Sequence, residues 1–159
     1  MAVPPKDTRP LDISILQVVE ETSEAERTTH QAACHCGAVQ FSVTLKWPFP
    51  KYPVNKCSCT ICTQNGYLFV YPCRRDVVFT KGKLPSVSFL AIAKLRNWWG
   101  YVGYDNLGSH VFNTKTKPHK FCKTCGSSIL ADFQRISRGE TDDPARDILA
   151  VNVSWVINH

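Results

Sequence analysis

The sequence predicts an all-β domain, and three observations carry that expectation. Apolar and polar residues alternate at period two in short runs, most clearly in Val39-Gln40-Phe41-Ser42-Val43-Thr44-Leu45, the pattern of a half-buried strand. Glycine and proline interrupt the chain repeatedly, at Gly37, 48–53, Gly66, Pro72, Gly82 and Gly126. Helical periodicity is almost absent, which leaves sheet packing as the way to build a core. The chain has 159 residues, 43% of them apolar and 20% charged. That is enough for one domain with a substantial core, and it is unlike the composition of a disordered segment.

Residues 1–29 read as an N-terminal extension, partly mobile. Pro4, Pro5 and Pro10 resist regular structure, and the acidic run over 20–27 is solvated. A short helix or strand over 13–20 would dock through Ile15, Leu16, Val18 and Val19; otherwise this is a tail. The domain is expected over 30–159. Cys34-His35-Cys36-Gly37 turns into the strand of 39–45. Trp47-Pro48-Phe49-Pro50-Lys51-Tyr52-Pro53 reads as loop, because proline supplies no donor to a ladder. Further strands are expected over 67–71 (stopped by Pro72), over 75–80 (ended by Lys81-Gly82-Lys83), over 86–95 and over 110–114. The segment 97–108, with three glycines among aromatics, has no clear assignment. A knuckle-like turn over 119–126 precedes a strand at 129–133. Residues 137–147 form a polar loop, and 148–153 the final strand.

Seven of the eight cysteines fall in three clusters: Cys34/Cys36, Cys57/Cys59/Cys62 and Cys122/Cys125. In Cys57-Ser58-Cys59-Thr60-Ile61-Cys62, extended backbone points the first two sulfurs to one side. A Cys-x-x-Cys turn then curls the third back toward them. Three thiols this close suit one Zn²⁺, and they suit disulfides poorly, since the rings would be small and strained. The two remaining pairs would close a tetrahedral Cys₄ site, tying the start of the domain to its later part. The expectation is therefore two zinc ions per chain. One is structural, on Cys34, Cys36, Cys122 and Cys125. The other is catalytic, on Cys57, Cys59 and Cys62, with a coordination position left open. The alternative is a single structural zinc drawing on any four of the seven.

The three cysteine motifs Cys34-His35-Cys36-Gly37-Ala38-Val39-Gln40-Phe41, Cys57-Ser58-Cys59-Thr60-Ile61-Cys62 and Phe121-Cys122-Lys123-Thr124-Cys125-Gly126 resemble the glutathione-dependent formaldehyde-activating enzyme family, which includes centromere protein V. The resemblance covers about residues 30–153. It implies a β-tent fold with sheets clasped around zinc, and the same division into a structural and a catalytic site. It also implies carbon–sulfur lyase chemistry, in which glutathione and formaldehyde join as S-hydroxymethylglutathione. The proline- and acid-rich extension and the Trp98-Trp99 segment depart from the family pattern.

A thiol arriving at an open zinc position loses its proton, and water or a carbonyl there is polarised. Making and breaking a C–S bond in a small thiol adduct would use the same groups. Ser58, Thr60, Gln64 and Asn65 are candidates to support such a site from outside the ligand set. His110 and His119 are candidates for a general base or a fourth ligand, whereas His35 should face away from its neighbouring cysteines. Trp98, Trp99, Tyr101 and Tyr104 could line a pocket, and Cys73 reads as a buried structural thiol. Net charge is +6, from 19 basic and 13 acidic residues. This mild value decides nothing by itself, and a basic run at Lys115, Lys117, Lys120 and Lys123 suits an anionic thiol such as glutathione or a phosphate backbone, with a solvated face as the default. The expected partner is a small thiol, possibly glutathione, and not nucleic acid. The rival reading is a non-catalytic, zinc-stabilised module that binds nucleic acid or a protein. Residues 1–10 lack the apolar core of a secretion signal, and no run is long enough to span a bilayer. Cysteine-rich, with no such signal, the chain is expected in the cytoplasm, or alternatively the nucleus, with no membrane partner.

Overall fold

A computed structural model of the chain describes residues 22–81 and 104–157. It is all-β, built from two antiparallel sheets with one short helix, α1 (Thr60–Gln64). The strands are β1 (Thr28–Ala33), β2 (Gln40–Leu45), β3 (Phe69–Val70), β4 (Val77–Lys81), β5 (Leu107–His110), β6 (His119–Cys122), β7 (Ser128–Asp132), β8 (Leu149–Asn152) and β9 (Val156–Ile157). One sheet runs β4-β2-β1-β9 and the other β3-β8-β7-β6-β5.

β1 and β2 form a hairpin paired from Thr28↔Leu45 to Ala33↔Gln40. The alternation read in the sequence sets its faces: Phe41, Val43 and Leu45 are buried, while Gln40, Ser42 and Thr44 are only half-buried. β4 adds on the far side of β2, where Phe41 pairs with Phe79 and their rings lie 5.3 Å apart. The main core lies between the sheets, with Val39, Phe41, Val43 and Leu45 facing Val70, Ile129, Leu130, Leu149 and Val151. Each large aliphatic or aromatic side chain buried there contributes about 1.5–3 kcal/mol relative to exposure. Ile129 and Leu130, though adjacent, both enter this core. The β6–β7 register slips between Lys120 and Phe121, from Lys120↔Leu130 to Phe121↔Ser128, so Ile129 is the extra residue of a bulge.

The five-stranded sheet is buried on both faces. Ala131, Ala150 and Phe69 point away from the main core into a second cluster with Cys62, Tyr67, Tyr71, Phe133 and Ile148, against which Cys57 and Ile61 pack. Asn152, 2% exposed, is the polar hub between these layers. Its Oδ1 accepts from the Leu68 and Ser154 N–H groups, and its Nδ2 donates to the Ser128 carbonyl. Arg74 makes a second clamp, with its guanidinium on Asp132 and its Nε 2.7 Å from Asp147 Oδ2.

Four elements differ from the sequence expectation. β1 was not anticipated, because Thr28-Thr29-His30-Gln31 lacks an apolar alternation and is held by its pairing with β2. The strand expected over 110–114 instead lies at β5, and His119–Cys122 is a strand before its turn begins. The chain also returns after β8 to add β9 to the edge of β1. The expected elements over 13–20 and 86–95 lie outside the described residues.

Candidate metal centres

The tetrad is built from one loop made twice. β1 ends into Cys34, whose N–H donates to the Val39 carbonyl at 2.9 Å; β6 ends at Cys122, whose N–H donates to the Ser127 carbonyl at 2.9 Å. Each loop needs one left-handed residue to close, and glycine supplies it, with φ +71° at Gly37 and +75° at Gly126. The two loops face each other across the ends of the sheets. Cys34 Sγ lies 3.5 Å from Cys36 Sγ, which lies 3.8 Å from Cys122 Sγ. All four sulfurs, with Cys125, lie within 4.8 Å of one another. Tetrahedral thiolates at Zn–S distances of about 2.3 Å would be roughly 3.8 Å apart, so the donor set fits zinc.

The electrostatics of the tetrad also call for a cation. Cys125 is held down to about 5, chiefly by the Ser127 hydroxyl, then by the Ser127 and Cys36 backbone N–H groups. At Cys36 the Ala38 N–H favours the thiolate, but desolvation and the Cys34, Cys125 and Cys122 sulfurs outweigh it and push the thiol up to about 12. Four thiolates cannot share this volume without a positive charge among them.

The triplet sits on the outer face of the five-stranded sheet. Backbone leading into it is pinned by Asn55, which exchanges both backbone hydrogen bonds with Phe69 at 2.8 Å. Cys59 keeps extended dihedrals as the residue before α1, and the helical turn then brings Cys62 round beneath it. The three sulfurs lie within 4.8 Å of one another, with Cys62 buried, Cys57 half-buried and Cys59 exposed. Among the described residues no fourth cysteine, histidine or carboxylate joins them. Burial opposes charge on Cys59, but the Cys62 and Ile61 N–H groups and the Cys62 and Cys57 thiols overcome it, and the thiol is lowered. Burial, then Cys59 and Cys57, pushes Cys62 well up. No disulfide links any of the eight cysteines.

No family model matches the chain. A Halomonas elongata protein that carries the provisional name glutathione-dependent formaldehyde-activating enzyme is 44% identical to it over 36 residues. These are 23% of this chain and 21% of that protein, so the match spans about a fifth of the relative's length. A crystal structure of a Rhodobacter sphaeroides protein is similar over 80% of this chain and 90% of its own, with a TM-score of 0.52 and 26% sequence identity. The chain thus shares a fold with the second and a short stretch of sequence with the first.

The seven cysteines expected as ligands fall into the two groups expected of them. Among the described residues no histidine joins either group. His35 is exposed, and only its backbone N–H reaches toward the tetrad, donating to Ser127 Oγ at 3.3 Å. His110 is exposed and stacks on Phe112. His119 is 8% exposed, with its ring 5.7 Å from Tyr67 and 5.3 Å from Phe112. Its Nδ1 has no hydrogen-bond partner among the described residues, and burial, then His110, lowers its pKa. Ser58, Thr60, Gln64 and Asn65 are exposed, and Asn65 Nδ2 donates back to the Ile61 carbonyl at the end of α1. Cys73 is buried and donates to the Ala145 carbonyl. Lys123 Nζ donates to the Asp105 carbonyl, and Lys117 Nζ lies over the Phe133 ring, so the basic run is partly tied into the fold. Trp98, Trp99 and Tyr101 lie outside the described residues, and Tyr104 opens a 3-10 turn before β5.

Sequence reading missed the groups that line the triplet: Asn55, Tyr67 and Tyr71. Tyr67 and Tyr71 share the second apolar cluster with Cys62, and both phenols feel the charges of Cys62 and Cys59. The signal was available in Tyr67-Leu68-Phe69-Val70-Tyr71, where period two puts three aromatic rings on one face immediately after the triplet.

Proposed function

We propose that this protein is a zinc-dependent enzyme that forms or cleaves a C–S bond in a small thiol adduct, of the glutathione-plus-formaldehyde type. One observation carries the reading. The two cysteine groups differ in kind, a four-sulfur set joining the two sheets and a three-sulfur set whose outermost member, Cys59, is exposed. In this reading Cys34, Cys36, Cys122 and Cys125 hold a structural Zn²⁺, and Cys57, Cys59 and Cys62 hold a catalytic one. The name of the Halomonas elongata protein supports the same chemistry. When bound at the triplet, zinc supplies Lewis acidity and stabilises an incoming sulfur as thiolate.

The chain's own residues do the rest. Exposed Cys59 leaves the ligand set open to solvent and substrate, while buried Cys62 anchors it to the sheet. Tyr67, Phe69, Tyr71 and Phe133 form the apolar floor, which strengthens electrostatic contacts by keeping water out. We assign the enzymatic domain to 30–159, with 1–29 as an extension, and place the protein in the cytoplasm, where cysteines stay reduced. Among the described residues no helix is long and apolar enough to cross a membrane.

The test is zinc per chain on the reduced, full-length protein, for wild type and Cys59→Ala, before and after mild chelation. Two ions in wild type are expected, one of them easily removed and absent from the variant. One tightly held ion that survives Cys59→Ala would remove the catalytic site.

A further inference from the structure

A tyrosine–amide pair beside the triplet has no part in metal binding. Asn55 and Phe69 are a directly opposed, hydrogen-bonded antiparallel pair. Opposed residues project to one face, and period two carries that face to the residues two away on each strand. Asn55 and Cys57 therefore share a face with Tyr67, Phe69 and Tyr71. Asn55 is diagonal to Tyr71 and reaches it, with Nδ2 donating to Tyr71 Oη at 3.0 Å.

That contact uses an acceptor position on the phenol and leaves its proton with no acceptor among the described residues. Tyr71 is 5% exposed and sits in the cluster that contains Cys62, with the charges of all three triplet cysteines acting on its hydroxyl. A buried donor without an acceptor is uncommon in a folded protein. The other phenol on this face, Tyr67, already shares its hydroxyl with Ser128. A thiol adduct at the triplet would carry its sulfur among the cysteines and present its next atoms to this face.

We propose that the Tyr71 hydroxyl donates a hydrogen bond to the oxygen on the sulfur-bearing carbon of the bound adduct, with Asn55 as the positioning residue that directs the phenol's proton toward it. The inference rests on reading the triplet as a thiol-adduct site, and it makes Tyr71 a specificity residue of that site. A neutral donor there favours adducts whose carbon next to sulfur bears a hydroxyl or carbonyl oxygen over adducts with a plain methylene.

The experiment uses zinc-loaded, full-length protein and two stable probes, S-acetylglutathione and its near-isostere without the oxygen, S-ethylglutathione. Affinities are measured by calorimetry and zinc per chain is checked for each variant. Wild type is expected to prefer the acetyl probe by roughly 3- to 10-fold, the worth of one net hydrogen bond. Tyr71→Phe brings the two probes to within about twofold of each other. Asn55→Asp, whose carboxylate takes the phenol's proton, collapses the same ratio with the ring and hydroxyl still present. A role in packing alone would not produce that second result. If wild type binds and both variants keep the preference or weaken both probes alike, Tyr71 is not the donor, and the thiol-adduct reading stands. If wild type binds neither probe while holding its zinc, both fall together.

Discussion

Removing one thiol from each half of the tetrad, as Cys36→Ser with Cys125→Ser, should destabilise the protein far more than the matching change in the triplet, Cys57→Ser with Cys59→Ser. Cys36 is exposed and Cys125 half-buried, so little packing is lost with either sulfur. What is lost is a cross-link. Cys36 and Cys122 are 86 residues apart in sequence, and closing a loop of that length removes about 4–5 kcal/mol of chain entropy from the unfolded state. The triplet closes only the short loop from Cys57 to Cys62, worth about 2 kcal/mol by the same relation, and its backbone is already pinned through Asn55 and α1. Against a total stability of about 5–15 kcal/mol, the tetrad change should lower the Tm of zinc-loaded protein by roughly 10–20 °C. The assay is thermal unfolding followed by circular dichroism in reducing buffer, with zinc per chain measured on the same samples. Equal shifts for the two double variants, or a shift under about 5 °C for the tetrad variant, would refute the cross-link argument.

Three further outcomes test particular contacts. Arg74→Ala leaves the carboxylates of Asp132 and Asp147, both buried, without their guanidinium. Urea unfolding should show a loss of about 3–5 kcal/mol, and a change below about 1 kcal/mol would contradict it. Gly108 pairs with Phe121 across β5 and β6, and a Cβ there would lie within 3.0 Å of the Phe121 ring. Gly108→Ala should cost about 1–3 kcal/mol in the same assay, and Phe121→Leu should relieve part of that cost. In reduced, zinc-free protein Cys125 titrates at about 5 and Cys36 at about 12, so at pH 7 the first is a thiolate and the second a thiol. Iodoacetamide labelling with peptide mapping should modify Cys125 before Cys36, at a rate that falls only as pH drops toward 5, while Cys36 still gains reactivity above pH 9. Exposure alone gives the opposite order, which makes the experiment decisive; Ser127→Ala should slow Cys125.

Much of the fold was legible where a residue pattern is local. The alternation over 39–45 appears as the buried face of β2, the strands expected at 67–71 and 148–153 contain β3 and β8, and those expected at 75–80 and 129–133 overlap β4 and β7 with ends shifted by one or two residues. β1, β5 and β9 were not legible, because each is held by its pairing with another strand, β1 on β2, β5 on β6 and β9 on the remote β1, rather than by its own apolar period. The cysteine spacing was legible for a different reason. Thiols two or three residues apart are brought together by the loop that contains them, so Cys57, Cys59 and Cys62 converge under any tertiary arrangement that keeps this turn.

The sequence by itself determined an all-β domain and the membership of three thiol clusters, because strand faces and short-loop geometry depend on neighbours within a few residues. Tertiary structure alone decided how the Cys34 and Cys122 loops face each other, with the Cys36 and Cys122 sulfurs 3.8 Å apart. It alone decided that the triplet sits on a buried aromatic face with Tyr71 held by Asn55. Those contacts depend on how two sheets stack and in what register Asn55 meets Phe69, and that is settled by packing among residues remote in sequence.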